Sequence, residues 1–545
     1  MPEPTPTVTD FLLARTHDET PGLRFEQREW SWSQHVRQCA EHASVLRSLR
    51  REGPWHVGVL LDNVPEFSFL LGAAALSGAV LVGLNTGRRG EALARDVRLA
   101  DCRWVITERK YADLLSGADL GAANGNVLLI DSPEWSRLLS AHRDAPLAPV
   151  AAVPDDLLAL LFTSGTGGEP KAVRCTHGKV AFPGRMLADR FELDGRDGVY
   201  VSMPLFHSNA LFAGWAVGLA AGAAVALRRR FSASGFLDDA RRFGATYANY
   251  VGKPLSFILA TAARPDDADN PLKIVYGNEG AERDLARFAE RFGCRVVDGF
   301  GSTEGGVVVA RTPDAPPGSL GTPGPGVQVL HPVTGRRCPA ASFDRGGRVT
   351  NPEEAIGELV NTAGAGAFAG YYKAPDADRW RMRGGMYWSG DLAYLDGDGF
   401  CYFVGRSDDW LRVDGENLGT APIERILLRH PGIAQAAVYA VPDGGVGDQV
   451  MAAIVPTGDV PVDLADFLAA QPDLGPKQLP RYIRIATELP RTETHKVLKR
   501  ELAAQRCDGP DPIWWRPGPG PAYEVLTPDR AAALAHPDPP ANRSR

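Results

Sequence analysis

Lysine is scarce in this chain: Lys and Arg together number 59 of 545 residues, and nine of these are Lys. Where arginine is the default cation, a retained lysine marks a place that suits a compact point charge better than a wide guanidinium. Two lysines stand out. Lys171 closes the run Thr163-Ser164-Gly165-Thr166-Gly167-Gly168-Glu169-Pro170-Lys171, and Lys496 lies in Leu489-Pro490-Arg491-Thr492-Glu493-Thr494-His495-Lys496-Val497. The glycines and hydroxyl residues of the first run leave backbone N–H groups free to converge on an anion, as a phosphate cradle requires. It is not a GxxxxGK[ST] loop opening a helix, because Pro170 precedes the lysine and Ala172-Val173 continue as strand. Taken alone, the run also reads as a surface hairpin.

Other polar segments follow short apolar strands. Tyr276-Gly277-Asn278-Glu279-Gly280-Ala281 and Asp298-Gly299-Phe300-Gly301-Ser302-Thr303-Glu304-Gly305-Gly306 sit at strand ends, where open α/β sheets bind ligands. Phe300 offers a flat face for a base, Thr303 a hydroxyl for phosphate, and Glu304 a hard oxygen ligand for Mg2+. Asp391, in Tyr387-Trp388-Ser389-Gly390-Asp391-Leu392, is a carboxylate able to hold both hydroxyls of a ribose, and Gly405-Arg406-Ser407-Asp408 follows one hairpin later. A turn-capping aspartate is the plainer reading of Asp391 alone. His35, Cys39 and His42 fall at i, i+4 and i+7, a metal-face spacing with no fourth ligand nearby, so an ordinary helix surface is expected there. No GxSxG nucleophile elbow is present.

The elements that must position these residues read as α/β. Trp32 to Leu49 has helical apolar spacing, and strands are expected at His56–Leu61, Val80–Val82, Leu157–Phe162, Val199–Met203, Val225–Leu227, Tyr247–Tyr250, Lys273–Tyr276 and Arg295–Val297. Asp62-Asn63 is expected to cap the following helix. Phe67–Leu84 and Ala210–Leu227 are uncharged over nearly a membrane-spanning length. Gly78, Gly83, Gly218 and Gly222 are expected to break them into helix, turn and strand. After Gly318 the pattern becomes short Pro/Gly-punctuated runs, Trp388–Val404 alternates like antiparallel strands, and a smaller βα unit begins after Arg406. The Pro-rich end is expected to lack regular structure, with its Trp514-Trp515 part docked. A net charge of −7 argues against nucleic acid, seven scattered cysteines without CxxC argue for a reducing cytoplasm, and the first residues lack the pattern of a signal peptide.

In order, these motifs resemble those of the adenylate-forming superfamily of acyl-CoA synthetases, firefly luciferase and peptide-synthetase adenylation domains, over nearly the whole chain. The wording VDGENLGTAPIERIL is most similar to the long-chain fatty-acid-CoA ligase and fatty-acid transport protein branch. The resemblance implies an α/β fold: a large N-terminal domain of stacked α/β sheets plus a β-barrel-like part over 1–405, a hinge over 406–410, a small mobile α+β C-terminal domain over 411–507 and a Pro-rich tail over 508–545. It implies that Thr163, Ser164, Gly165, Thr166, Gly167, Gly168 and Lys171 hold the pyrophosphate end of ATP. Gly277, Asn278, Glu279, Gly280, Phe300, Gly301 and Ser302 would frame the adenine. Thr303 would meet the α-phosphate, Glu304 would bind Mg2+, and Asp391 and Arg406 would hold the ribose. Asp408 would be the hinge, and His207 a gate beside the reacting carboxylate or else a hydrogen-bonded buried histidine. Lys496 would swing over the active site, with Lys499 as a possible substitute. Gly167 stands where threonine is usual, and His495 where glycine is usual.

The implied reaction is ATP-dependent adenylation of a small-molecule carboxylic acid to acyl-AMP, followed by transfer to CoA with release of AMP and pyrophosphate. Asn209-Ala210-Leu211-Phe212-Ala213 carries no acid to pair with an amino group, so an apolar, fatty-type acid is expected. Three alternatives keep the adenylation: release of acyl-AMP, loading of a carrier protein, or activation of nitrite to diazotise an aromatic amine. A nucleotide-binding transport-type protein with vestigial motifs is the other class. Peripheral membrane contact and oligomer formation are left open.

Overall fold

The computed structural model describes residues 5–163, 170–312, 314–406, 410–413, 416–443, 447–458, 464–491, 497–518 and 522–527. The chain forms two compact units, one of residues 1–280, 284–306 and 365–380, the other of 281–283, 307–364 and 381–545.

The first unit is built on two sheets. One runs Arg295–Gly299, Ile274–Asn278, Tyr247–Val251, Gly198–Val201, Ala224–Leu227, Pro21–Phe25, all parallel, with Arg28–Ser31 antiparallel at its edge. The other runs Val127–Leu129, Cys102–Thr107, His56–Leu60, Val80–Gly83, Leu157–Thr163, again parallel, closed by the antiparallel strand Lys171–Thr176. The expected strands therefore all appear. Parallel strands covered by helices on their faces read as continuous apolar runs, and every residue of His56–Leu60 and Ala224–Leu227 is buried.

Both uncharged stretches divide as expected, although not at every glycine. Helix Pro65–Ser77 ends at Gly78 in the left-handed conformation (φ 81°), and Gly222 (φ 73°) ends Ala216–Ala221. Gly83 and Gly218 are close-packing positions instead of breaks. A Cβ on Gly218 would stand 2.4 Å from Val225, and one on Gly83 would meet Phe206 at 3.0 Å. Among the described residues no helix is long and apolar enough to cross a membrane.

The expected cap at Asp62-Asn63 is corrected. Val64 is the N-cap residue of the helix and makes no side-chain cap bond, because valine has no acceptor to offer, while Pro65 at the first helical position presents no N–H of its own. Asp62 instead accepts from Tyr111 Oη at 2.6 Å and from Lys110 and Arg230, while Asn63 reaches a distant segment described below. The His35–Cys39–His42 face is also corrected, since it is packed into the core and not a helix surface. His35 Nε2 lies 2.8 Å from Ser68 Oγ, which also accepts from Trp215 Nε1 at 2.8 Å. His35 Nδ1 is 3.6 Å from Cys39 Sγ, and His42 Nδ1 donates to Gln38 O at 2.7 Å. No group of three His, Cys, Asp or Glu side chains among the described residues is placed to hold a metal ion.

The second unit is mainly antiparallel. Val327–Leu330, Gly357–Asn361, Met386–Leu395 and Met382–Arg383 form one sheet, with Cys401–Arg406 also paired to Met386–Leu395 as the alternation predicts. A second sheet runs Glu416–Gly419, Trp410–Val413, Gly447–Pro456, Tyr482–Ile485, Ile513–Trp515, Glu524–Val525, with Ile433–Asp443 paired to Gly447–Pro456. Helix Thr420–Arg429 buries Ile423, Ile426 and Leu427 in the core of that region. The Trp514-Trp515 part of the Pro-rich end is docked as expected, and the described residues there also form regular strands, which was not expected. Ile513–Trp515 joins the sheet and itself pairs with Glu524–Val525, because the prolines flank these strands without interrupting them.

Candidate active site

Lys171 opens the strand Lys171–Thr176 and faces Thr163 in the last registered pair with Leu157–Thr163. The tip between them lies outside the described residues, and with it Ser164, Gly165, Thr166, Gly167 and Gly168. The free edge of Lys171–Thr176 is met by a segment from far along the chain. Arg174 N donates to Gly370 O at 3.0 Å, Tyr372 N donates to Ala172 O at 2.8 Å, and Val173 bridges Tyr371. Tyr371 thereby comes to lie with its ring 5.6 Å from Lys171 Nζ, a cation–π distance. Its hydroxyl donates to Glu304 Oε1 at 2.8 Å.

Glu304 is held by its main chain as well. The buried Lys179, on helix His177–Arg190, donates to Glu304 O at 2.9 Å and to Arg174 O at 3.3 Å. Desolvation pulls the Lys179 ammonium below the usual lysine range, against the partial compensation of Glu304 nearby. Ala367 N donates to Gly305 O at 3.1 Å, so the returning segment grips both sides of this turn.

The two segments expected to frame adenine start level with one another because Asn278 and Gly299 are register partners on adjacent parallel strands. Asn278 Nδ2 donates to Gly299 O at 2.8 Å, and Tyr250 Oη donates to Asp298 Oδ1 at 2.9 Å. Gly280 N points at both Asp298 oxygens at 3.3 Å. Between them Glu279 takes a left-handed conformation (φ 62°), a strained state for a residue with a Cβ that persists where surrounding bonds fix it. Gly277 has no room for a side chain: a Cβ would lie 2.2 Å from Tyr250 O. Gly301 faces open space, its nearest neighbour being Asn278 Nδ2 at 4.0 Å.

Thr303 Oγ1 lies 2.7 Å from Ser208 Oγ, which brings the loop 300–306 against the segment containing His207. That segment is pinned from two sides. Asn63 Nδ2 donates to Met203 O and Asn63 Oδ1 accepts from Leu205 N, both at 2.9 Å. Asn209 donates to Tyr250 O at 2.9 Å and accepts from Asn249 at 2.6 Å. His207 packs on Phe206 with ring centres 4.6 Å apart, and its Nε2 is buried without a hydrogen-bond partner among the described residues. The hydrogen-bonded reading of this histidine therefore finds no partner at Nε2 among the described residues, a state that His42 Nε2 and His177 Nδ1 share. The chain then enters a π-helical turn, Leu211–Trp215, a distortion frequent at functional sites.

In the second unit, Asp391 and Arg406 are register partners, and Arg406 Nε lies 3.3 Å from the buried Asp391 carboxylate. Asp391 N donates to Ser389 Oγ at 3.0 Å. Lys499 opens helix Lys499–Gln505 and is tied to Glu424 and Thr420, both at 2.8 Å, so here it serves the packing of its own unit. Lys496 and Asp408 lie outside the described residues.

The model of the AMP-binding enzyme family matches residues 13–372, and that of the AMP-binding enzyme C-terminal domain matches residues 422–496. The chain belongs to the AMP-binding enzyme family. The second match ends on Lys496. A medium/long-chain-fatty-acid–CoA ligase of Mycobacterium marinum is 54% identical over 513 residues, covering 93% of this chain and 98% of its own. A steroid-22-oyl-CoA synthetase of Rhodococcus jostii is 46% identical over 534 residues, covering 97% and 96%. The fold is shared with an anthranilate CoA ligase in complex with anthranoyl-AMP, at TM-score 0.78 and 22% identity over 92% of this chain and 97% of the other. Within its family the chain is an ATP-dependent acyl-CoA synthetase that forms AMP and pyrophosphate.

Three residues that hold this region together were missed or misassigned from the sequence. Tyr371 sits in a Gly-Tyr-Tyr run whose importance appears only through a strand edge about two hundred residues away. Lys179 was legible as another of the nine lysines, but its role depends on burial. Asn63 was legible as a polar residue after a strand and was assigned to the wrong partner.

The buried histidines give this synthetase a defined acid response. Desolvation pushes His35 down to about 3 and both His42 and His207 down to about 4. Each is neutral in the folded chain, whereas its unfolded counterpart protonates near pH 6.5. Between those values the unfolded state binds more protons, so stability falls as pH drops below 6.5. The slope is up to about 1.4 kcal/mol per pH unit for each histidine. Urea midpoints measured from pH 7.5 to 4.5 should be level at the top and decline below 6.5. A midpoint unchanged at pH 5 would show that these imidazoles are not held neutral.

Proposed function

We propose that this synthetase activates an apolar carboxylic acid, of medium or long chain or with a fused-ring body, and transfers it to CoA. The observation that carries the reading is the identity of about half of all residues, end to end, with ligases named for fatty and steroid acids. The aromatic and aliphatic surroundings of His207, which include Phe206 and the turn Leu211–Trp215, support it.

Each site residue then has a proposed task. The loop 163–171 and Lys171 hold the β- and γ-phosphates, Gly277 to Gly280 and Phe300 to Ser302 frame the base, and Asp391 with Arg406 holds the ribose hydroxyls. His207 offers its neutral Nε2 to the acid carboxylate. A carboxylate oxygen attacks the α-phosphorus and pyrophosphate departs, while Thr303 and Lys496 stabilise the charge growing on the α-phosphate. The CoA sulfur, as thiolate, then attacks the acyl carbon and AMP leaves with the bonding electrons. No protein nucleophile is required.

Glu304 fits a role in holding Mg2+. The described residues contain no cluster able to cage an ion unaided, and one carboxylate completing an ion carried by substrate phosphates is the donor set that Mg2+ takes. Bound there, the ion would neutralise charge on the phosphates. The division at 405 with a hinge at Asp408 belongs to this proposal, with Lys496 serving only the first half-reaction. Seven free cysteines support the cytoplasm as its compartment.

The test is pyrophosphate release and thioester formation with a panel of fatty, steroid side-chain, aryl and amino acids, with and without CoA. The expected result is acyl-CoA from apolar acids alone. Turnover of amino acids, or pyrophosphate release with nitrite plus an aminobenzoate and no thioester, would overturn it.

A further inference from the structure

We propose that Tyr371 is a positioning residue that orients the Glu304 carboxylate for a divalent cation and couples it to Lys171. This rests on the reading of Glu304 as the cation-binding carboxylate.

The geometry is specific. A carboxylate on a loop rotates about its last side-chain bond unless something fixes its plane, and the Tyr371 hydroxyl does so by donating to Oε1 at 2.8 Å. A phenol is a suitable partner because it leaves the carboxylate its full negative charge. A lysine or arginine in the same place would compete with the metal for it. The nearby cation Lys179 illustrates the difference, since it donates to the main-chain O of Glu304 and fixes the loop from beneath. Such outer hydrogen bonds to a ligating carboxylate set metal affinity as well as orientation.

Tyr371 itself is fixed by main-chain pairing. Its neighbours Gly370 and Tyr372 bond to Arg174 and Ala172, and Tyr371 N donates to Asp378 Oδ1 at 2.8 Å. Its ring lies beneath Lys171 Nζ at 5.6 Å. The ammonium draws electron density from the ring and makes the hydroxyl a stronger donor to Glu304. One side chain thus touches both the phosphate-loop lysine and the cation-binding carboxylate, and a phosphate that shifts Lys171 alters the hold on Glu304.

Tyr371→Phe removes the hydroxyl and keeps the ring under Lys171, so the fold is retained, which melting temperature and circular dichroism would verify. The informative readout is Mn2+ binding by electron paramagnetic resonance in the presence of α,β-methylene ATP, a nucleotide that cannot give up its adenylyl group, compared across wild type, Y371F and Glu304→Gln. Y371F should bind Mn2+ about 10-fold more weakly, with metal-free nucleotide binding unchanged, and the Mg2+ concentration for half-maximal pyrophosphate release should rise in parallel. Wild-type Mn2+ affinity in Y371F beside a clear loss in E304Q would overturn the role of Tyr371 while sparing that of Glu304. Wild-type affinity in E304Q would overturn both. If Tyr371 were merely structural, Y371F would lower the melting temperature and leave the metal titration where it was.

Discussion

Lys496→Ala is expected to lower acyl-AMP formation by at least about 100-fold while thioester formation from supplied acyl-AMP and CoA proceeds close to the wild-type rate. The magnitude follows from what one charged donor contributes to a transition state that gathers negative charge. The asymmetry follows from the charge balance of the two halves. In the first, oxygen attacks a phosphorus already surrounded by anionic oxygens, and a compact cation between acid and α-phosphate lowers the barrier. In the second, a neutral acyl carbon is attacked and the phosphate is the leaving group. The paired assays are pyrophosphate release with acid and ATP, and chromatographic detection of thioester from synthetic acyl-AMP. Equal loss in both from folded protein would show that the lysine has another role.

Gly277→Ala should be damaging for a different reason. Its new Cβ would stand 2.2 Å from the main-chain oxygen of Tyr250 and 2.5 Å from that ring. Tyr250 and Gly277 are register partners on adjacent strands, so the oxygen cannot retreat without breaking the sheet at the point where the proposed adenine segment leaves it. Overpacking of this kind costs about 1–3 kcal/mol, and the same displacement carried into the nucleotide site corresponds to about 10-fold or more in the KM for ATP. Gly301→Ala, whose Cβ would meet nothing nearer than 4.0 Å, is the matched comparison and should be tolerated sterically. Similar ATP dependence in the two variants would show that the strand has more freedom than its register implies.

Much of this site was legible as residue type. The loops after Ile274–Asn278 and Arg295–Gly299 announce themselves because apolar strands followed by glycine and hydroxyl residues have few other uses, and parallel strands put such loops at one sheet edge. Asp391 and Arg406 were legible as parts of a hairpin, since alternation fixes which residues face each other. What stayed hidden depends on long-range pairing. Asn63 follows a strand and precedes a helix, which by local rules makes it a cap. Its side chain instead bridges Met203 and Leu205, well over a hundred residues on, and Pro65 removes the N–H that a cap would have served. Gly218 was read as a break for the same kind of reason. Local conformation gives glycine only one explanation, whereas here a neighbouring strand presses on the helix. Tyr371 combines both difficulties, because neither its strand edge nor its acidic partner is close in sequence.

The pairing of Gly370, Tyr371 and Tyr372 with Ala172 and Arg174 carries a consequence for biosynthesis. During translation the strand Lys171–Thr176 emerges long before the segment that covers its outer edge, and until then it presents an open row of amide and carbonyl groups. A ribosome stalled, or a message cut short, anywhere in the intervening two hundred codons would release a fragment whose Lys171–Thr176 strand is left with a bare, adhesive margin. Chaperone dependence of the nascent polypeptide should therefore end abruptly once that closing segment clears the exit tunnel.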